Sequence, residues 1–253
     1  MSKSLERGLK ALVYLSAQRS MGVTELAQKL DVNKSTAYRI LSALKEHNMV
    51  QQCPDNLKYK LGPAVLKMSE QLYKNLNIIS IAKPLMQELS DKTGESAHLC
   101  ILSNDSAVVV EQIMTNTRLA VNAKIGNSEP LHASSVGKCL LAFCDDETQN
   151  RILDRLVLEQ FTPKTIVDKS KLKQELETIK RIGLAFDDGE ISLEIRCVAT
   201  PIFDHREKVV YSLGISGPSS RMDAQKVESV SQRLLETAKQ ISQNLGYLKG
   251  GLV

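Results

Sequence analysis

Between residues 34 and 46, Ala37, Ile40, Leu41 and Leu44 recur at i, i+3, i+4 and i+7, the stripe of a helix packed on one side. Asn33 stands where its side-chain oxygen can accept from a free N–H of the first turn. The opposite face carries Lys34, Ser35, Tyr38, Arg39, Ser42 and Lys45, with no acid until Glu46. Hydroxyls and cations backed by an apolar stripe suit a phosphate backbone and base edges; the same face also suits plain solvation. Upstream, Leu5, Leu9, Leu12, Val13 and Leu15 predict a first helix with Ser4 as its N-cap. Val23 to Leu30 reads as a short second helix capped by Thr24. A tight turn at Asp31-Val32 joins it to the third, with small Ala27 at the crossing and Leu30, Val32 and Ile40 sealing the angle. This is the pattern of a helix-turn-helix. Asp31 and then Asn48 stand where a left-handed backbone is wanted, and both residue types tolerate one. Strand-like runs at 49–52 and 58–61 flank a turn-rich tip, Cys53-Pro54-Asp55-Asn56. Such a hairpin is a wing that lays Lys58 and Lys60 along phosphates, or one that completes the small core, or both.

Residues 64–76 carry one stripe, Val65, Met68 or Ser69, Leu72 and Leu76, and a further helix spans Ile81 to Leu89 with Thr93-Gly94 stopping it. Then the period changes to two. Runs 97–102 and 107–113 read as a hairpin across Ser103-Asn104-Asp105-Ser106, and Arg118 to Ile125 as a third strand closed by Gly126-Asn127. Helices follow near 146–157 and 170–182, strands near 184–187, 197–203 and 208–216, and a last helix from about Asp223 to Leu245. Hairpins and helices in mixed order imply an α+β fold with an antiparallel sheet flanked by helices.

Composition adds location more than class. The chain has 253 residues, room for one small and one larger domain, with 42% hydrophobic and 25% charged residues. Its net charge of +4 is uneven: residues 1–60 hold 10 Lys+Arg against 5 Asp+Glu, a net +5 that coincides with the helix-turn-helix, as a nucleic-acid footprint would. No run of 18 apolar residues is present, so no membrane span is expected. The N-terminus lacks an apolar signal core, and the five cysteines never form Cys-x-x-Cys; reduced thiols in a cytoplasm are expected, with no metal site and no cofactor.

Two further stretches carry chemistry. In Leu131-His132-Ala133-Ser134-Ser135-Val136-Gly137-Lys138 a small-residue loop enters an apolar helix, where free N–H groups attract anions. The other runs from Gly183 through Asp187 and Glu190 to Arg196-Cys197. Asp187 can accept from ligand hydroxyls, Cys197 offers a soft wall, and Ser216 a hydroxyl. On the residues alone, a core position suits Cys197 better than a ligand contact, a structural ion pair suits Glu190 better, and a structural hydrogen bond suits His132 better. Cys197, His132 and Asp187 can also be drawn as a hydrolytic triad, though no Gly-x-Ser-x-Gly elbow accompanies them.

Thr24-Glu25-Leu26-Ala27, Asn33-Lys34-Ser35-Thr36-Ala37-Tyr38-Arg39-Ile40-Leu41 and Tyr59-Lys60-Leu61-Gly62 resemble the winged helix-turn-helix of the IclR family of bacterial transcription regulators, and the 131–142 and 183–203 stretches resemble its effector-domain signatures. The resemblance implies a winged helix-turn-helix over 1–63, a linker helix over 64–79 and a GAF-like effector-binding domain over 80–253. It implies contacts to double-stranded operator DNA from Thr24, Lys34, Ser35, Thr36, Tyr38, Arg39, Lys58 and Lys60. It implies a small hydroxylated or keto carboxylate held by Ser135, Val136, Asp187, Cys197 and Ser216, a ligand-responsive regulator (a repressor before an activator), and a homodimer or dimer of dimers. Ser135-Val136 is bulkier than the Gly-Ala of some relatives, and Glu194-Ile195 replaces a glycine of the family pattern.

Overall fold

The computed structural model describes residues 3–75 and 77–248. The chain forms two compact units, one ending at Leu76 and the other running from Asn77 to Tyr247.

The N-terminal unit contains α1 (Lys3–Ser16), α2 (Val23–Lys29), α3 (Lys34–Glu46), β1 (Val50–Gln52), β2 (Tyr59–Leu61) and α4 (Pro63–Asn75). Its core gathers Ala11 and Leu15 from α1, Leu26 from α2, Ile40 and Leu41 from α3, and Val50 and Tyr59 from the hairpin. Asn33 caps α3, its Oδ1 accepting from Thr36 N at 2.8 Å. Asp31 takes φ 52° in the turn, and Val32 N bonds to Ala27 O at 3.0 Å, which closes the angle between α2 and α3. Asn48 (φ 54°) ends α3: Met49 N reaches Leu44 O and Asn48 N reaches Lys45 O, both at 2.9 Å, the paired closure of a Schellman motif. Two expected caps are elsewhere. Ser4 lies inside α1, and Gly22, not Thr24, is the N-cap of α2, because the helix starts at Val23.

β1 and β2 pair antiparallel, and an isolated bridge ties Tyr59 to Met21. The hairpin then returns to the end of α3. Gly62 N donates to Met49 O (2.8 Å) and Ala64 N to Asn48 O (3.1 Å). A Cβ on Gly62 would lie 2.2 Å from Asn48 O, so only glycine lets the two backbones meet here. α4 starts on this junction and leaves Leu66, Met68 and Leu72 exposed.

The C-terminal unit contains α5 (Ile78–Thr93), β3 (Ser96–Ser103), β4 (Ser106–Ile113), β5 (Ser128–Glu129), α6 (Ser135–Phe143), α7 (Asp146–Arg155), α8 (Lys169–Ile182), β6 (Ala185–Asp188), β7 (Ile195–Phe203), β8 (Val209–Pro218) and α9 (Ala224–Asn244). The six strands form one antiparallel sheet in the order β5-β4-β3-β8-β7-β6. Alternation along the strands sends Ala97, Leu99, Val198, Leu213 and Ile215 to the face covered by α5 and α9. Cys100, Ala185 and Ala199 go to the face covered by α6, α7 and α8.

Three expectations change. Residues 118–125 form no strand: Gln112, with its amide turned so that the oxygen accepts, pairs with the Ala123 backbone at 2.9 and 3.1 Å, and β5 is displaced to 128–129. α5 starts at Ile78 under an Asn77 cap, ahead of the expected Ile81, and so holds Pro84 in its interior. Glu194 holds its turn without glycine, because its φ is not positive; Ile195 N bonds to Ser192 O at 3.0 Å. Among the described residues no helix is long and apolar enough to cross a membrane.

Candidate functional site

On the N-terminal unit, burying Ala37, Ile40 and Leu41 forces the other side of α3 outward. Lys34, Ser35, Tyr38 and Arg39 are exposed, and Thr36 is half-buried beside the cap. The Ser35 hydroxyl donates to Asn33 Oδ1 at 2.7 Å, so the cap orders the start of this face. Thr24 is exposed on α2, and Lys58 and Lys60 are exposed on the hairpin. The hairpin tip is pinned by Cys53 N to Lys58 O (2.7 Å), with Leu57 at φ 56°.

In the C-terminal unit, a cavity of about 180 Å³ opens between the sheet and the start of α6. Strand register explains why its polar lining converges. Asp187 pairs with Cys197, Cys197 with Ser216, and Ser216 with Ser96, one rung across four strands. Asp187, Cys197 and Ser216 all line the cavity. The Ser216 hydroxyl donates to Cys197 Sγ at 3.0 Å. Burial and the nearby Asp187 push the Cys197 thiol well above its ordinary range, so it is not a thiolate. On the next rung His98 faces Gly214, and a Cβ there would meet the imidazole at 2.6 Å; glycine makes the room that His98 occupies.

α6 closes the cavity from above. Ser134 caps it, accepting from Gly137 N at 2.9 Å, while Ser135 and Val136 of its first turn line the cavity. Gly137 is required by close packing: a Cβ would sit 2.4 Å from Pro130 O and 2.7 Å from Leu131 Cα. The Ser135 hydroxyl is 1% exposed and has no hydrogen-bond partner.

One turn further on, Lys138 is buried, its ammonium on Glu190 and 3.7 Å from Glu175 of α8. Burial pushes the Glu190 carboxyl up to about 7 despite that ammonium. Asp187 Oδ1 accepts from Glu190 N at 2.6 Å, and the Thr162 and Thr165 hydroxyls hold the carbonyls of Gly189 (2.7 Å) and Glu190 (2.6 Å). The turn that aims Asp187 into the cavity is thus clamped from α6 and from the 162–165 loop. His132 does not line the cavity. Its Nε2 engages Glu159 O at 2.9 Å and its ring stacks on Phe161, so no hydrogen bond joins it to Cys197 or Asp187 among the described residues.

Sequence reasoning missed His98, Glu129 and the 121–123 segment as parts of this lining. His98 sits in an alternating strand, and its even spacing from Cys100 was the available signal.

The comparisons with known proteins agree across both units. Residues 4–54 match the IclR helix-turn-helix domain, and residues 70–243 match the C-terminal domain of bacterial IclR transcriptional regulators. The chain belongs to the IclR family. Transcriptional repressor IclR of Escherichia coli K12 is 29% identical over 250 residues, covering 98% of this chain and 91% of that protein. The HTH-type transcriptional repressor AllR of the same strain is 32% identical over 246 residues, covering 97% and 91%. A crystal structure of a putative IclR regulator from Silicibacter sp. TM1040 superposes with TM-score 0.86 at 25% identity, covering 97% of this chain and 96% of its own. This IclR-family chain is therefore a DNA-binding transcriptional regulator with a C-terminal effector-binding domain.

Proposed function

We propose that this regulator is a cytoplasmic repressor whose grip on operator DNA is set by a small organic acid. The observation that carries the reading is the convergence of Asp187, Cys197 and Ser216 on one rung beneath the first turn of α6. The free amides of that turn and the positive end of α6 receive the carboxylate, and Asp187 accepts from a donor elsewhere on the ligand. Ser135 and Val136 set the length between them. Residues 80–253 hold this site, 1–63 hold the DNA, and 64–79, which take in most of α4 and the first two residues of α5, join them.

On the DNA side, Lys34 and Arg39 contact phosphates, Ser35, Thr36 and Tyr38 lie at the groove, Thr24 supports from α2, and Lys58 and Lys60 follow the backbone from the wing. The similarity to the repressors IclR and AllR supports the direction of control. The chain works as a homodimer on paired half-sites, or as a dimer of dimers. Leu5 and Leu9 of α1 and Leu66, Met68 and Leu72 of α4 are exposed apolar residues that a second copy would cover.

The test is a gel-shift on DNA upstream of the gene cluster, across a salt titration and with candidate acids. Arg39→Ala should weaken binding and lower the salt slope by about 1. Asp187→Ala should abolish the ligand response while leaving ligand-free DNA binding within a few-fold. Unchanged affinity and slope in the first, or an intact response in the second, would refute the respective assignment.

A further inference from the structure

Glu129 is the cavity residue that an organic-acid reading does not use. It sits on β5, paired with Ala107, and lines the same cavity as Asp187. Among the described residues no donor reaches its carboxylate, and burial with Asp187 nearby pushes it above the ordinary carboxyl range. No lysine or arginine lines the cavity among the described residues. Lys138, whose charge reaches Asp187, is already engaged with Glu190 and Glu175. Two carboxyls therefore face one small space with no cation of the protein between them.

Two buried groups beside these carboxyls show that this space is built for a polar occupant. Ser135 Oγ, 1% exposed, lacks a partner. His98, 4% exposed, is acted on by desolvation alone, which leaves it a neutral imidazole with one donor and one acceptor to offer. A simple carboxylate entering here would meet the amides of α6 but also two like charges. A ligand that is itself balanced removes the conflict.

We propose that Glu129 is a specificity-determining residue and that, with Asp187, it receives a protonated amine, so that the effector is a small zwitterionic amino acid rather than a hydroxy acid or a diacid. The proposal rests on the organic-acid reading above and narrows it. Size agrees: a cavity of about 150 Å³ holds a benzene-sized molecule, about six heavy atoms, so the 180 Å³ here takes an amino acid of similar or slightly larger size. Charge-assisted hydrogen bonds supply the discrimination, because a hydroxyl offers one neutral donor where an ammonium offers three charged ones.

The experiment uses the full-length protein and titration calorimetry with four three-carbon acids that differ only in one terminal group: propionate, 3-hydroxypropionate, 3-aminopropionate and malonate. The expected order places 3-aminopropionate first, about tenfold tighter than 3-hydroxypropionate, with malonate weakest. Glu129→Gln should erase the preference for the amine over the hydroxyl while the ligand-free melting temperature holds or rises, since a half-buried carboxyl that desolvation and the nearby Asp187 disfavour has been removed. Equal or tighter binding of 3-hydroxypropionate or malonate to the parent protein overturns the Glu129 assignment and leaves the organic-acid reading standing. So does retention of the amine preference by Glu129→Gln. If none of the four binds, the amino-acid proposal falls, and the organic-acid reading is judged on its own by the gel-shift with candidate acids.

Discussion

Replacing Lys138 by Met tests how the site is held together. Methionine is close to lysine in length and shape, so the space under α6 stays filled and the change is one of charge. Glu190 is 8% exposed, and one of its oxygens already lacks a partner. Removing one member of a buried pair usually costs about 3–5 kcal/mol, because the other charge is stranded. Glu190 has an escape. Its carboxyl already sits near 7 with the ammonium present, and rises further without it. In the variant it sheds its charge at neutral pH, leaving the smaller cost of an under-bonded neutral acid, about 1–3 kcal/mol. The sign follows. A carboxyl whose folded pKa exceeds its unfolded one loses stability as pH rises between the two values, and the variant extends that window upward. The penalty should therefore be about 1–3 kcal/mol at pH 6 and grow toward 3–5 kcal/mol by pH 9. Hydrogen exchange read on peptides from α6 and the 187–191 turn isolates this local opening from the melting of the N-terminal unit. Lys138→Met/Glu190→Gln should recover most of the loss and flatten its pH dependence. A loss below about 1 kcal/mol, or one that is the same at both pH values, would refute the argument.

Two further outcomes are expected. Gly62→Ala drives a Cβ into Asn48 O, so it should destabilise the N-terminal unit by about 1–3 kcal/mol and cut operator affinity, with ligand binding unchanged by calorimetry. His98 is held down to about pH 4 when folded, against an ordinary value near 6.5. Its contribution is whole above 6.5 and falls by about 3 kcal/mol as pH drops to 4, because the unfolded chain takes the proton first. Denaturant melts of the ligand-free protein should show His98→Gln gaining on the parent between pH 6.5 and 4.5, and parallel curves would contradict it.

The N-terminal unit was legible because its signals are local. The α3 stripe, the Asn33 cap and the left-handed Asp31 and Asn48 each act within a few residues of the chain. The start of α2 misled because Thr24 and Gly22 both suit a cap, and only the backbone path chooses. Residues 118–125 alternate like a strand, but the side chain of Gln112 takes both backbone bonds of Ala123, and nothing in those eight residues announces it. The cavity was half legible. Asp187, Cys197 and Ser216 come from stretches with a recognisable signature, whereas His98 and Glu129 reach it only through strand register set by distant pairings.

The backbone bonds from Gly62 and Ala64 to the end of α3 carry a mechanical consequence. They tie the root of α4 to the two residues that close α3, main chain to main chain. α4 has 13 residues, so it is a lever about 20 Å long. Moving its far end sideways by about 3 Å tilts it by roughly 10°, and the two bonds at its root are where that tilt is passed toward α3. A joint made of main chain offers no side chain to tune: a substitution that loosens it must act on the backbone path itself, as any residue other than glycine at 62 would.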